Sequence, residues 1–230
     1  MMQPRRDGPN DRGPREPMFN FSEPVPVYWA GLLIVLELLT MVATRDIQLV
    51  LAKFGILRPF GVVASPDQFF ALIGYSLFHS GWSHVLMNSF LGIIFGIVCI
   101  RGAKVKKIAQ GQPSSGLGVF LGLFLFGAVL GGLAQWAVWA INHAPVQSAM
   151  VGASGGVSAF FAGAGWAMGG RDKMLQFGFG WLVINFVLVV AEPIFGVRIS
   201  WAGHIGGYIA GMILAPLWIR PNSTGFSVLR

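Results

Sequence analysis

Charged residues are scarce in this sequence, and the shortage decides its class. Aspartate, glutamate, lysine and arginine make up 11% of the 230 residues, whereas hydrophobic residues make up 54%. A soluble domain carries about 25% charged residues, so this chain has too few to cover a surface that faces water. Cys99 is the only cysteine, which excludes an intrachain disulfide framework. The composition therefore predicts an integral membrane protein and excludes a soluble enzyme, a disordered chain and a disulfide-stapled secreted fold.

Acidic residues are the scarcer charge: nine aspartates and glutamates stand against sixteen lysines and arginines, for a net charge of +7. Such an excess is also typical of nucleic-acid-binding proteins, but here the basic residues lie between apolar segments rather than on one face or arm. Twelve of the sixteen fall in the terminal segments and in the loops on their side, and four fall in the opposite loops. The positive-inside rule then predicts that both termini are cytoplasmic. We expect a bacterial inner membrane protein with no nucleic-acid partner.

Six apolar segments approach the length that a transmembrane helix requires, about 17–25 residues. The segment 45–81 mixes charged residues and prolines with short apolar runs, and it is interpreted as a loop with interfacial helices. The sequence thus predicts an all-α membrane protein: a six-transmembrane-helix bundle over residues 27–219, with a disordered basic tail at 1–26 and a short cytoplasmic tail at 220–230. The six predicted spans are 27–44, 82–100, 116–141, 151–170, 175–191 and 200–219.

Four polar residues of catalytic type lie at a similar depth in this arrangement. With both termini inside, spans 2, 4 and 6 begin at the outer face. His84 and Asn88 lie in the first turns of span 2, and Ser154 and His204 lie in the first turns of spans 4 and 6. Each is within about 10 Å of the outer end of its helix by the helical rise. Polar groups inside a bilayer are costly and are usually functional, so these four residues form the candidate site.

The sequence GASGG around Ser154 matches the G-x-S-x-G pattern of a nucleophile elbow. That motif requires a strand and a soluble parallel sheet, so small-residue helix packing is the competing explanation. Glycine-rich faces on spans 4 and 6 permit a close approach that would bring Ser154 within hydrogen-bond reach of His204, as an activated serine requires. The N-terminus of span 4, at Gly152, and the side chains of His84 and Asn88 are placed to supply hydrogen-bond donors to an oxyanion.

Three stretches of the sequence resemble the motifs of the rhomboid intramembrane serine proteases, in the family's order and on spans 2, 4 and 6. The resemblance extends over residues 69–216. It implies a six-helix bundle that cleaves transmembrane segments of other membrane proteins near their outer ends. The implied partners are transmembrane protein substrates and the lipid bilayer. The stretches are FHSGWSHVLMN at 78–88, GASG at 152–155 and GHIGG at 203–207.

The same resemblance implies a role for each residue of the candidate site. Ser154 would be the nucleophile and His204 the general base, in a dyad that has no carboxylate. His84 and Asn88 match the family's H-x-x-x-N motif, which places them on the oxyanion side together with Gly152.

One position departs from the family pattern next to the nucleophile. Four residues after the serine the family usually has an aromatic ring that stacks on the catalytic histidine, whereas this chain has Ser158. We predict that a polar contact at Ser158, direct or through a water, positions the imidazole of His204. Tyr208, one turn after His204, is the other candidate for that task. His79 matches the earlier histidine of the family's outer loop.

Two other functions fit parts of the sequence. The first is a rhomboid-like protein that binds membrane clients without catalysis; loss of the serine or the histidine would mark that class, and both are present. The second is a small transporter, suggested by the 32 glycines and by polar residues at depth. Transporters of the inverted-repeat type show paired interrupted helices in two related halves, and no such halves are visible. The intramembrane serine protease is therefore the favoured prediction.

We predict no catalytic role for the remaining ionisable residues. Glu192 lies between Ser154 and His204 in the chain, as the acid does in some hydrolases, but its position at the outer end of span 5 favours a solvated loop carboxylate. Glu37, within span 1, is predicted to be protonated or hydrogen-bonded inside the bundle. The histidines and Cys99 are not at metal-ligand spacing with any carboxylate, so we expect no metal and no cofactor.

Overall fold

The computed structural model describes residues 23–60, 66–112, 116–195 and 198–221. Within these ranges the chain is all-helical, with no strand and with one isolated β-bridge. The two predicted tails lie largely outside the described residues. The first helix begins at Pro24, slightly before the predicted boundary. A proline suits the first turn of a helix because its missing N–H would have had no acceptor there.

The described part of the chain forms seven α-helices and one short 3-10 turn. Two small helices and the turn occupy the segment that was interpreted as a loop with interfacial helices. The helices are α1 (Pro24–Val42), α2 (Arg45–Gly55), α3 (Asp67–Gly74), α4 (Trp82–Ala109), α5 (Leu117–Ile141), α6 (Ser154–Phe195) and α7 (Trp201–Trp218), and the turn (Tyr75–Leu77) follows α3.

The long helix α6 contains both the fourth and the fifth predicted spans. Its backbone leaves helical geometry at Gly169 and Gly170, and Gly170 has the left-handed φ of 68° that favours glycine. We name the two halves α6a (154–168) and α6b (171–195). A Cβ atom on Gly165 would lie 2.9 Å from the Cα atom of Met174, so α6b folds back against α6a.

Among the residues that the structure describes, four stretches of helix are long and apolar enough to cross a membrane: α1, α4, α5 and the part of α6 from Ser154–Ile194. The last of these contains the break that divides α6a from α6b. The helix α7, which carries His204 among several glycines, is not among these four. The prediction of an all-helical membrane fold is confirmed. Helix length and composition identify four candidate spans among the described residues, and the count of six spans stays a prediction.

The helix α4 continues to Ala109, beyond the predicted end of its span at residue 100. Hydropathy falls where the charged residues begin, but the helix does not end there. Lys106 and Lys107 lie in its last turn, where cations interact favourably with the helix dipole. Lys104 forms an ion pair with Glu23, beside the start of α1, at 2.8 Å.

Glycines let α7 pack directly on the backbone of its neighbours. A Cβ atom on Gly207 would lie 2.0 Å from the carbonyl oxygen of Gly155 in α6a, and one on Gly206 would lie 2.4 Å from the carbonyl oxygen of Leu130 in α5. Small residues at such positions are what allow membrane helices to approach closely. This close packing brings the start of α7 beside the start of α6.

A cluster of aromatic side chains lies in the buried core of the bundle. Trp29 of α1 lies edge-on to Phe120 and Phe124 of α5, with ring centroids 5.7 and 5.2 Å away, and Phe120 stacks on Phe160 of α6a at 4.5 Å. The same tryptophan ring occupies the space where a side chain at Gly92 of α4 would stand. These contacts join α1, α4, α5 and α6a into one core.

Candidate active site

Ser154 is the first residue of α6 and His204 lies in the first turn of α7. The Oγ atom of Ser154 is 2.8 Å from Nε2 of His204, a hydrogen-bond distance. His204 is buried, with 8% of its surface exposed. The two residues singled out from the sequence therefore meet, and they do so at the ends of helices that the glycine contacts hold together.

The backbone just before Ser154 is fixed by residues from the segment between α1 and α4. Met150 and Leu57 form the isolated bridge, with two backbone hydrogen bonds of 2.9 and 3.0 Å. The N–H of Gly152 donates to the carbonyl oxygen of Tyr75 at 2.8 Å. Gly152 has a φ of 119°, a conformation that side chains rarely adopt. This segment, in which the sequence suggested a loop with interfacial helices, is thus the platform that holds the backbone before Ser154.

His79 completes the platform through its side chain. Its Nε2 atom accepts a hydrogen bond from the N–H of Ala153 at 3.2 Å, and an acceptor nitrogen must be unprotonated. Burial, with a smaller contribution from neighbouring His84, lowers the pKa of His79 to about 3. His79 is therefore neutral near pH 7 and remains available as the acceptor.

His84 lies directly against Gly152, two residues before Ser154. A Cβ atom on Gly152 would stand 2.6 Å from Nε2 of His84, so only glycine leaves room for the ring. The opposite nitrogen, Nδ1, is 3.0 Å from Oγ of Ser80. If the Ser80 hydroxyl donates to Nδ1, the proton of His84 resides on Nε2, which faces Gly152.

Asn88 lies one turn further along α4 and is buried. Its Nδ2 atom donates to the carbonyl oxygen of His84 at 3.0 Å, which leaves one amide N–H of Asn88 for another acceptor. The side chain is thereby anchored on the same helix as His84. Because His84 and Asn88 are four residues apart in α4, their side chains lie on the same face of that helix.

Two residues of α6b contact the imidazole of His204, and neither was predicted from the sequence. Nδ1 of His204 is 2.5 Å from Oδ1 of Asn185. The indole of Trp181 lies 5.6 Å from the imidazole, centroid to centroid, with the planes inclined at 43°. The sequence does mark Asn185 as a candidate functional residue, because it is a polar residue in the middle of an apolar run. It lies one helical turn after Trp181.

The prediction that Ser158 or Tyr208 positions His204 is wrong. The Ser158 hydroxyl donates instead to the carbonyl oxygen of Ser154 at 2.7 Å, and the Tyr208 hydroxyl donates to the carbonyl oxygen of Met174. Both imidazole nitrogens of His204 already have other partners. Because Ser158 has no ring, the aromatic contact with His204 comes from Trp181 of α6b instead.

The prediction that Glu192 is a solvated loop carboxylate is wrong, because this residue lies within the last turns of α6b and is half-buried. Its Oε1 atom accepts a hydrogen bond from the N–H of Ile199 at 2.6 Å, which ties the end of α6b to the start of α7. Glu37 is buried on α1, with 7% of its surface exposed. Throughout the described ranges, no three histidine, cysteine or acidic side chains cluster closely enough to hold a metal ion.

Comparison with known proteins agrees with the geometry. Residues 66–221 match the model of the rhomboid domain. The chain is 26% identical over 171 residues to an uncharacterized protein of Mycobacterium bovis and to uncharacterized proteins of two strains of Mycobacterium tuberculosis. The aligned region covers 68% of this chain and 62% of each relative, so the chain spans less than two thirds of their length. Because the rhomboid match covers more than half of the chain and includes both Ser154 and His204, this chain belongs to the rhomboid family, a family of multi-pass membrane proteins.

Proposed function

We propose that this protein is an intramembrane serine protease that cleaves transmembrane segments of other membrane proteins near their outer ends. The observation that carries the proposal is the 2.8 Å hydrogen bond between Oγ of Ser154 and Nε2 of His204. A serine hydroxyl is a weak nucleophile until a base removes its proton. A buried imidazole at this distance, held by residues on its other side, is suited to that task.

The reaction follows from the arrangement of these atoms. His204 Nε2 takes the proton of Ser154 as Oγ attacks the carbonyl carbon of the substrate peptide bond. The tetrahedral oxyanion is stabilised by N–H groups at the start of α6a, by His84, which lies against Gly152, and by Asn88, whose amide is hydrogen-bonded to the backbone of His84. The imidazolium then gives its proton to the departing amine. A water molecule, deprotonated by His204, hydrolyses the acyl-enzyme and restores Ser154.

The proposed topology has six spans: α1, α4, α5, α6a, α6b and α7. With α6 counted as two spans, α4, α6a and α7 run in the same direction across the bilayer, and each carries its site residues near its N-terminal end. Basic residues cluster on the side of both termini, which supports cytoplasmic termini in a bacterial inner membrane. The serine then lies towards the outer face, where a cavity open to water can hydrate the reaction.

The test is cleavage of a model transmembrane substrate by the purified protein in proteoliposomes. Ser154→Ala and His204→Ala should each abolish cleavage while the protein remains folded in detergent. Ser158→Ala is the matched control: it also removes a hydroxyl from the first turns of α6, but that hydroxyl contacts only the helix backbone. We expect near-normal cleavage by Ser158→Ala. Equal turnover by wild type and Ser154→Ala, or a folded wild type that binds the substrate without cutting it, would contradict the proposal and favour a client-binding protein.

A further inference from the structure

We propose that Asn185 is a positioning residue for His204, so that Ser154, His204 and Asn185 form one hydrogen-bonded chain that ends in a neutral amide. This inference rests on the proposed function, which by itself requires only the serine and the histidine. The third residue comes from α6b, a helix outside the sequence motifs that define the site.

The contact itself is short and buried. Oδ1 of Asn185 lies 2.5 Å from Nδ1 of His204. Asn185 is 4% exposed and His204 is 8% exposed, so water has little access to either group. A polar group buried in a membrane protein is costly if it lacks a partner, and each of these two side chains is the other's partner.

The orientation of the Asn185 amide is fixed from its far side. Nδ2 of Asn185 donates to the carbonyl oxygen of Trp181, one turn earlier in α6b, at 2.8 Å. Turning the amide over would place Oδ1 against that carbonyl oxygen, and two acceptors would then face each other. Oδ1 must therefore point at His204, and Nδ1 of His204 must carry the proton that it donates.

This contact selects the tautomer that catalysis needs. With the proton on Nδ1, the lone pair of His204 is on Nε2 and faces the Ser154 hydroxyl. An amide free to turn would present its NH₂ group and favour the opposite tautomer, which disables a serine–histidine pair. The hydrogen bond to Trp181 excludes that outcome, and the Trp181 ring further restricts rotation of the imidazole.

A neutral amide also suits a site within a bilayer. A carboxylate would bring a full negative charge into an apolar surrounding, where charges are expensive. The amide oxygen supplies a dipole that stabilises the imidazolium formed during the reaction, and the resting state remains uncharged. The amide of Asn185 thus orients His204 without placing an ion in the protein interior.

The experiment measures the tautomer of His204 directly, by ¹⁵N NMR of histidine-labelled protein in detergent micelles. The sequence has four histidines, and loss of one signal set in His204→Gln assigns the resonance. We expect protonation at Nδ1 in the wild type and loss of that preference in Asn185→Ala. Asn185→Asp, which retains an oxygen acceptor, should keep Nδ1 protonated, and so should Asn142→Ala, an exposed asparagine at the end of α5.

Steady-state cleavage provides the second readout. Asn185→Ala should lower kcat about 10²-fold through misplacement of the base, with KM unchanged, and Asn185→Asp should retain more activity than Asn185→Ala. A wild-type His204 protonated at Nε2 would overturn the proposal, as would an unchanged tautomer and kcat in Asn185→Ala. If the wild type cleaves nothing, the proposed function fails, while the tautomer measurement still decides the role of Asn185.

Discussion

Single side chains around Ser154 act in pairs, each holding another in the geometry that the proposed reaction needs. Ser80 and His84 are one such pair, with 3.0 Å between Oγ and Nδ1. A serine hydroxyl that donates to Nδ1 leaves the His84 proton on Nε2, on the side that faces Gly152. The orientation of a proposed oxyanion donor therefore depends on a residue that does not touch the substrate.

Ser80→Ala should lower kcat about fivefold without changing KM, because a hydrogen bond of this kind contributes about 1 kcal/mol. The change is measured with the transmembrane substrate in proteoliposomes. Ser83→Ala, an exposed serine in the first turn of α4, is the control and should behave as wild type. A Ser80→Ala enzyme as active as this control would show that His84 is oriented by packing alone.

The lowered pKa of His79 predicts how the stability of the protein depends on pH. Its pKa is lowered by burial to about 3 in the folded protein, against about 6.5 when unfolded. The unfolded chain therefore binds a proton first as the pH falls, and stability due to this group is lost progressively between about pH 6.5 and pH 3. We expect the thermal midpoint in detergent to fall on acidification across this window. His79→Gln, which cannot be protonated, should show a weaker fall, and an identical fall in both proteins would contradict the assignment.

At the scale of helices, the site exists because α6a and α7 meet backbone to backbone. A Cβ atom on Gly207 would lie 2.0 Å from the carbonyl oxygen of Gly155, next to Ser154. Neither backbone has a flexible side chain that could give way, so an added methyl must separate the helices. The distance between Ser154 and His204 depends directly on that separation.

Gly207→Ala should therefore reduce cleavage by at least about 10²-fold and destabilise the protein by about 1–3 kcal/mol. Gly180→Ala is the matched control, because a Cβ atom at that position of α6b meets no atom within 4 Å. Cleavage and the thermal midpoint are measured for both variants. Normal activity in Gly207→Ala would mean that the glycine contact does not set the geometry of the site.

The helices were predictable from the sequence to the extent that their signal is local. Apolar length places the helices that carry Ser154 and His204, and the spacing of small residues predicts that they approach each other. The pairing of Leu57 with Met150 joins residues far apart in the chain, and no local pattern encodes it. The role of Asn185 depends on how α6b is rotated about its axis, which is set by packing against α6a and α7 and not by hydropathy.

For the molecule as a whole, the distribution of lysine and arginine predicts both termini on the cytoplasmic side. The single native cysteine, Cys99, is fully buried, so background reaction with an impermeant maleimide should be low. We expect Asn142→Cys, at the end of α5 that the proposed orientation places outside, to react in intact cells. Gln110→Cys, at the end of α4, should react only after the membrane is opened. The reverse pattern would contradict the proposed orientation.

Activation of Ser154 by His204 is tested by mass mapping of the adduct that the protein forms with an organofluorophosphonate in detergent. Such reagents react with serines that a neighbouring base has activated. We expect a single modified peptide that carries Ser154, with modification lost in Ser154→Ala and in His204→Ala. No adduct on a folded wild-type protein, or an adduct at Ser154 that forms equally well in His204→Ala, would contradict it.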